Sequence, residues 1–141
     1  MGVITPTLTL TSNASTAATN AGPLTVALSL SATDSLTVDT VQSKIVTVST
    51  THAILWDASS ISDGTNTAGT DGGFVYMKNA TGSSNIFIGY GSSAALNADD
   101  TAIRLLTLKP GEFCWMPWDL NADLIVDASG AGTIETWYFD R

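Results

Sequence analysis

Apolar residues recur at every second position along this chain, and no window sustains the 3.6-residue period of an amphipathic helix. Leu24, Val26, Leu28 and Leu30 alternate with Thr25, Ala27 and Ser29, the pattern of a strand buried on one face. Comparable runs at Ile45–Val48, Ala53–Trp56, Phe74–Met77, Ile86–Tyr90, Arg104–Leu108, Glu112–Met116, Leu124–Asp127 and Thr133–Phe139 read as further strands, with a weaker one at Ser35–Val38. Helix formers are scarce: two Glu, one Gln and three Lys stand against eleven Asp and seven Asn, which favour turns. Only Ala94–Ile103 offers room for a short helical turn. Pro110-Gly111 is the pair a type II turn requires, with proline setting φ and glycine accepting a positive φ. Asn79–Ser84 and Ser129–Gly132 separate apolar runs at hairpin distance.

Short strands with turn signals every 8–12 residues mark a β-sandwich or barrel. The expected fold is all-β, a two-sheet antiparallel, jelly-roll-like β-sandwich with an extended N-terminal arm. Residues 1–22 are rich in Thr, Ser, Asn and Ala, and read either as that arm or as an edge strand at Thr7–Leu10; residues 23–141 read as a single sandwich domain. An arm or open edge of this kind suits contact with a neighbouring chain, which makes Thr7, Leu8 and Leu10 candidate interface residues. Asp57–Gly73 is a long polar loop whose one large apolar residue is Ile61.

Charge narrows the partners. Only 13% of residues are charged, and 5 Lys and Arg against 13 Asp and Glu give a net charge of −8. Lys44, Lys78, Arg104, Lys109 and Arg141 stand singly, so the clustered cations that phosphate binding needs are missing and a nucleic-acid partner is excluded. An anionic membrane surface is disfavoured on the same ground, and no apolar run approaches the ~20 residues of a membrane-spanning helix. Cys114 is the single cysteine, which excludes an intrachain disulfide. The opening Met-Gly-Val-Ile-Thr-Pro lacks the pattern of a secretory leader, so folding in a reducing cytoplasm is expected.

The residues that carry chemistry are few. His52, the single histidine, is too little for a transition-metal site and reads as a packed or hydrogen-bonded residue. Cys114, between Phe113 and Trp115, reads as a small buried hydrophobe. Gly-x-Ser-x-Gly and phosphate-loop motifs are absent. Asp119, Asn121 and Asp123 match the start of a calcium loop, but Leu124 stands where the sharp turn needs glycine and Gly130 where the bidentate glutamate belongs. Glu112 and Glu135 sit in strand patterns. No catalytic, cofactor or metal residue is assigned. Among the aromatics, Trp115 is expected in the core, while Trp118 reads equally as a core residue or as an exposed anchor for a protein contact.

The stretch from Phe74 to Tyr90 (Phe-Val-Tyr-Met-Lys-Asn-Ala-Thr-Gly-Ser-Ser-Asn-Ile-Phe-Ile-Gly-Tyr) is followed by Ile103-Arg-Leu-Leu-Thr-Leu-Lys-Pro-Gly-Glu-Phe. The chain then runs through Leu124-Ile-Val-Asp-Ala-Ser-Gly to Ile134-Glu-Thr-Trp-Tyr-Phe. Across residues 72–141 this order resembles the small jelly-roll virion proteins of tailed bacteriophages. The resemblance implies a non-enzymatic head decoration, or cement, protein on the outer surface of a phage head, with the major capsid protein as partner and no cofactor. Relatives in tails and fibres leave an alternative: a tail, baseplate or fibre component that binds a host glycan through Trp56, Trp118 or Tyr90. Symmetry on a shell favours a homo-oligomer, a trimer first. A small metal-dependent barrel enzyme is a third class, against which the lone His52 argues.

Overall fold

The computed structural model describes residues 2–4, 7–11, 25–29, 36–38, 41–61, 72–80, 82–91 and 103–140, and every regular element among them is a β-strand. The chain divides into two units, Met1–Asp39 and Thr40–Arg141. In the first, β2 (Thr7–Thr11) pairs antiparallel with β3 (Thr25–Ser29), setting Leu8 opposite Leu28 and Leu10 opposite Val26. Likewise β1 (Gly2–Ile4) pairs with β4 (Leu36–Val38). The sequence places the boundary after residue 22 and Leu24–Leu30 within the sandwich. The two units divide at Asp39, and Thr25–Ser29 pairs with Thr7–Thr11, which carries the same Leu/Thr alternation.

The second unit is a β-sandwich of eight strands: β5 (Val41–Val48), β6 (Ala53–Trp56), β7 (Gly73–Asn79), β8 (Ile86–Gly91), β9 (Arg104–Leu108), β10 (Phe113–Trp118), β11 (Asp123–Ala128) and β12 (Gly132–Asp140). They form two antiparallel four-stranded sheets, ordered β10-β7-β12-β5 and β6-β11-β8-β9. The pairing is nested: β5 pairs with β12, β6 with β11, β7 with β10 and β8 with β9, like one long hairpin folded over on itself. Two further pairings, β7 with β12 and β8 with β11, join the folded ribbon into sheets.

The alternation legible in the sequence becomes a burial pattern. Along β7, Gly73, Val75, Met77 and Asn79 are buried while Phe74, Tyr76 and Lys78 are half-buried. Along β12, Ile134, Thr136 and Tyr138 point inward. Facing them, Leu55 and Trp56 of β6, Ile86 and Ile88 of β8 and Leu124 and Val126 of β11 complete one apolar core. Ile61, the single large apolar residue of the polar loop, joins it. A polar relay crosses between the sheets: Trp56 Nε1 donates to Thr136 Oγ1 at 2.9 Å, and Thr136 donates to the Tyr76 carbonyl at 2.8 Å. Buried donors and acceptors cost stability when unmatched, and among the described residues no buried side-chain nitrogen or oxygen is unmatched.

Turn chemistry closes the ribbon as its residues dictate. Glu112 N–H donates to the Lys109 carbonyl at 2.9 Å across Pro110-Gly111, and Gly111 takes φ 80°. Gly73 lies against the Phe139 carbonyl so closely that any Cβ there would collide with it. The expected helical turn at Ala94–Ile103 falls, except for Ile103, outside the described residues, as do residues 62–71 of the long loop.

Candidate interaction surface

Register alone defines the outer face of the β10-β7-β12-β5 sheet. One row crosses the strands as Phe113, Lys78, Glu135 and Ile45; the next as Trp115, Tyr76, Trp137 and Ser43; the third as Pro117, Phe74, Phe139 and Val41. A solvent-facing antiparallel sheet normally shows polar residues on that side. Here six of those twelve positions are aromatic.

The rings associate in two ladders. Phe113, Tyr76 and Trp137 form one, with centroids 5.9 and 5.4 Å apart and interplanar angles of 30° and 26°. Phe74, Trp115 and Phe139 form the other, at 5.4 Å and 13°, then 5.0 Å and 50°. Cross-strand aromatic pairs stabilise a sheet by about 0.2–1 kcal/mol each, but they leave much area uncovered. Val41, Ile45, Phe113, Trp115 and Trp137 remain 56, 74, 54, 36 and 38% exposed. Together they present on the order of 500 Å² of surface, as much as the largest apolar patch on a typical monomer. Covering it is worth on the order of 10 kcal/mol before the cost of association.

The two tryptophans exchange the places considered for them. Trp118 is 3% exposed, set edge-on to Tyr138 at 5.6 Å, and its Nε1 donates to the Ala122 carbonyl at 3.0 Å. Trp115, expected in the core, lies on the outer face. Residues 115 and 118 have opposite parity on one strand, so only one can point inward. Trp118 stands opposite Gly73 in the register, and the turn after it supplies the acceptor. Thr7, Leu8 and Leu10 lie on β2, paired with β3.

The other candidates resolve locally. Asp119 accepts from the Asn121 N–H, the Asn121 side-chain amide and the Tyr90 hydroxyl, and Asp123 accepts from the Ala58 N–H at 2.9 Å. These bonds brace the turn around Leu120, whose φ of 59° returns its side chain to the core. Asn121 directs a donor at Asp119, the wrong polarity for a shared cation, and no group of three His, Cys, Asp or Glu fit for a metal occurs among the described residues. Cys114 is half-buried against the core, and burial pushes its thiol up to about 11. Trp56 and Trp118 are both core residues, so neither offers a ring face to a sugar. Tyr90 lines an open depression of about 330 Å³ with Leu105, Met116, Pro117, Trp118 and Asp119.

No family model, curated protein or solved structure matches the chain. Among the described residues, no helix is long and apolar enough to cross a membrane. The aromatic face escapes a reading based on alternation because inward and outward positions are both apolar. Its signal was the unbroken run: Phe-Val-Tyr-Met in β7, Phe-Cys-Trp-Met-Pro-Trp in β10 and Trp-Tyr-Phe in β12.

Proposed function

We propose that this chain is a non-enzymatic virion protein, a decoration (cement) protein of a bacteriophage head. In this reading it is made in the host cytoplasm and binds the outer surface of the shell as a homo-oligomer, a trimer by symmetry. There it holds neighbouring subunits of the major capsid protein together. The observation that carries the reading is the open aromatic face: rings in place of the polar residues that usually cover the outer side of such a sheet suit a surface that protein covers. Two features support it further. The nested pairing of β5 through β12 supports a jelly-roll reading of the sandwich, an architecture that virion proteins use repeatedly. The half-buried Cys114 thiol, held at about 11, is poorly suited to act as a nucleophile.

The N-terminal unit, with Thr7, Leu8 and Leu10 on β2, is assigned to the shell contact, and many symmetric copies turn modest contacts into firm attachment. Purified shells lacking the protein test this directly. Saturable uptake at a fixed copy number per shell, with greater resistance to heat, is the expected result. Shells that take up none and gain no stability overturn the reading.

A further inference from the structure

We propose that the aromatic outer face of the β10-β7-β12-β5 sheet is covered by a second copy of this chain. The inference rests on the reading of the protein as an assembly component and names the partner of one surface.

The charge distribution selects a like partner. The chain carries a net −8, so two copies meeting at random repel. Among the described residues in the three rows of this face, the charged ones are Lys78 and Glu135, which stand opposite each other on β7 and β12 and sum to zero. Copies therefore meet here without acid facing acid, and Lys78 of one copy has a Glu135 available on the other.

The face supplies the apolar centre of such a contact. A stable interface takes about 800 Å² from each partner; the five exposed residues give on the order of 500 Å² of it, with the half-buried Phe74 and Tyr76 beside them, and the remainder falls to the surrounding polar rim.

Alternative modes fit less well. The sheet's two edges are blunted against strand addition. β10 carries Pro117, which has no N–H to give a neighbouring strand. On β5, Lys44 stands opposite the buried Thr136 and turns inward, its Nζ 3.9 Å from the centre of the Trp56 ring. An inward-pointing charge on an edge strand is a recognised guard against edge pairing. A sugar is also a poor occupant. The rings of this face are paired with one another at interplanar angles of 13–30°, so a sugar stacking flat on one of them competes with a neighbouring ring.

Sedimentation velocity at micromolar concentration tests the inference on the full chain. The wild type is expected at a discrete multiple of the monomer mass. Ile45→Glu and Trp137→Lys, both at exposed positions, are each expected to shift it to the monomer with an unchanged far-UV circular dichroism spectrum. Ile54→Glu, on β6 of the other sheet, is expected to leave the assembly intact. A wild type that sediments as a monomer, or face variants that keep the wild-type mass, overturn the proposal. Shell uptake measured on the same samples separates the two readings. Wild-type monomers that still saturate shells sink the self-association and leave the decoration role standing. Assembly through this face without shell uptake does the reverse.

Discussion

On one side of the β10-β7-β12-β5 sheet, Val75, Met77, Ile134 and Tyr138 have no exposed surface; on the other, Phe113, Trp115 and Trp137 keep 54, 36 and 38% of theirs. Both faces are apolar, and what separates them is the placing of polar groups. The inner face includes Asn79, Thr136 and Asp140, each buried and each held by named partners. Such groups tolerate one register only, because a slip would strand them in the core. The outer face is organised mainly by stacked rings, which lose little if they shift slightly. Hydrophobicity alone thus says that both faces want cover. The satisfied polar groups identify the face that the chain covers itself.

The contrast is broken most severely at Tyr138, which packs on Trp56 at 6.1 Å and on Trp118 at 5.6 Å. Tyr138→Ala removes that ring and the hydroxyl that donates to Asp140, and is expected to cost about 3–5 kcal/mol in denaturant unfolding. Asn79 comes next. Its side-chain amide donates to the Ser84 and Leu108 carbonyls at 2.8 and 2.9 Å, so Asn79→Ala is expected to cost about 1–3 kcal/mol by the same measurement. On the outer face, Trp137→Ala is expected to cost less than either in the dilute chain, since the ring is 38% exposed, donates no buried hydrogen bond to the core and loses one stacking contact. A loss there as large as that at Tyr138 would erase the distinction between the faces.

The smallest effect belongs to acid. The N–H of Asn121, then the Tyr90 hydroxyl and the Asn121 amide, hold the Asp119 carboxyl below its ordinary value of 3.8. A carboxylate whose pKa is lower in the folded chain than in the unfolded one contributes stability above the unfolded value and loses it as pH falls through the folded one. Stability is therefore expected to decline as pH drops below 3.8, and Asp119→Asn is expected to flatten that decline in a pH series of melting curves.

The strands were largely legible because period-two patterning is local. Ala53–Trp56 and Arg104–Leu108 begin and end where their apolar runs do. Gly2–Ile4 was not read as a strand, since three residues are too few to show a period. Partners were not legible either. Alternation says which side of a strand is apolar but not which strand lies beside it, and β5 meets β12 across most of the unit. Thr25–Ser29 was therefore assigned to the sandwich when it pairs within the first unit. For Trp115 and Trp118, parity required opposite sides, but the choice went with the Tyr138 ring and the Ala122 carbonyl that receive Trp118, neither of which marks itself in the sequence.

The nested pairing fixes an order of events. Strand β12 lies between β7 and β5, so the interior of that sheet has a gap until residues 132–140 have been synthesised. Until β12 is made, β7 and β5 lack the strand that joins them, and the ring-rich segments stay uncovered meanwhile. With pairings this distant in sequence, refolding is expected on the millisecond-to-second scale of other non-local β proteins.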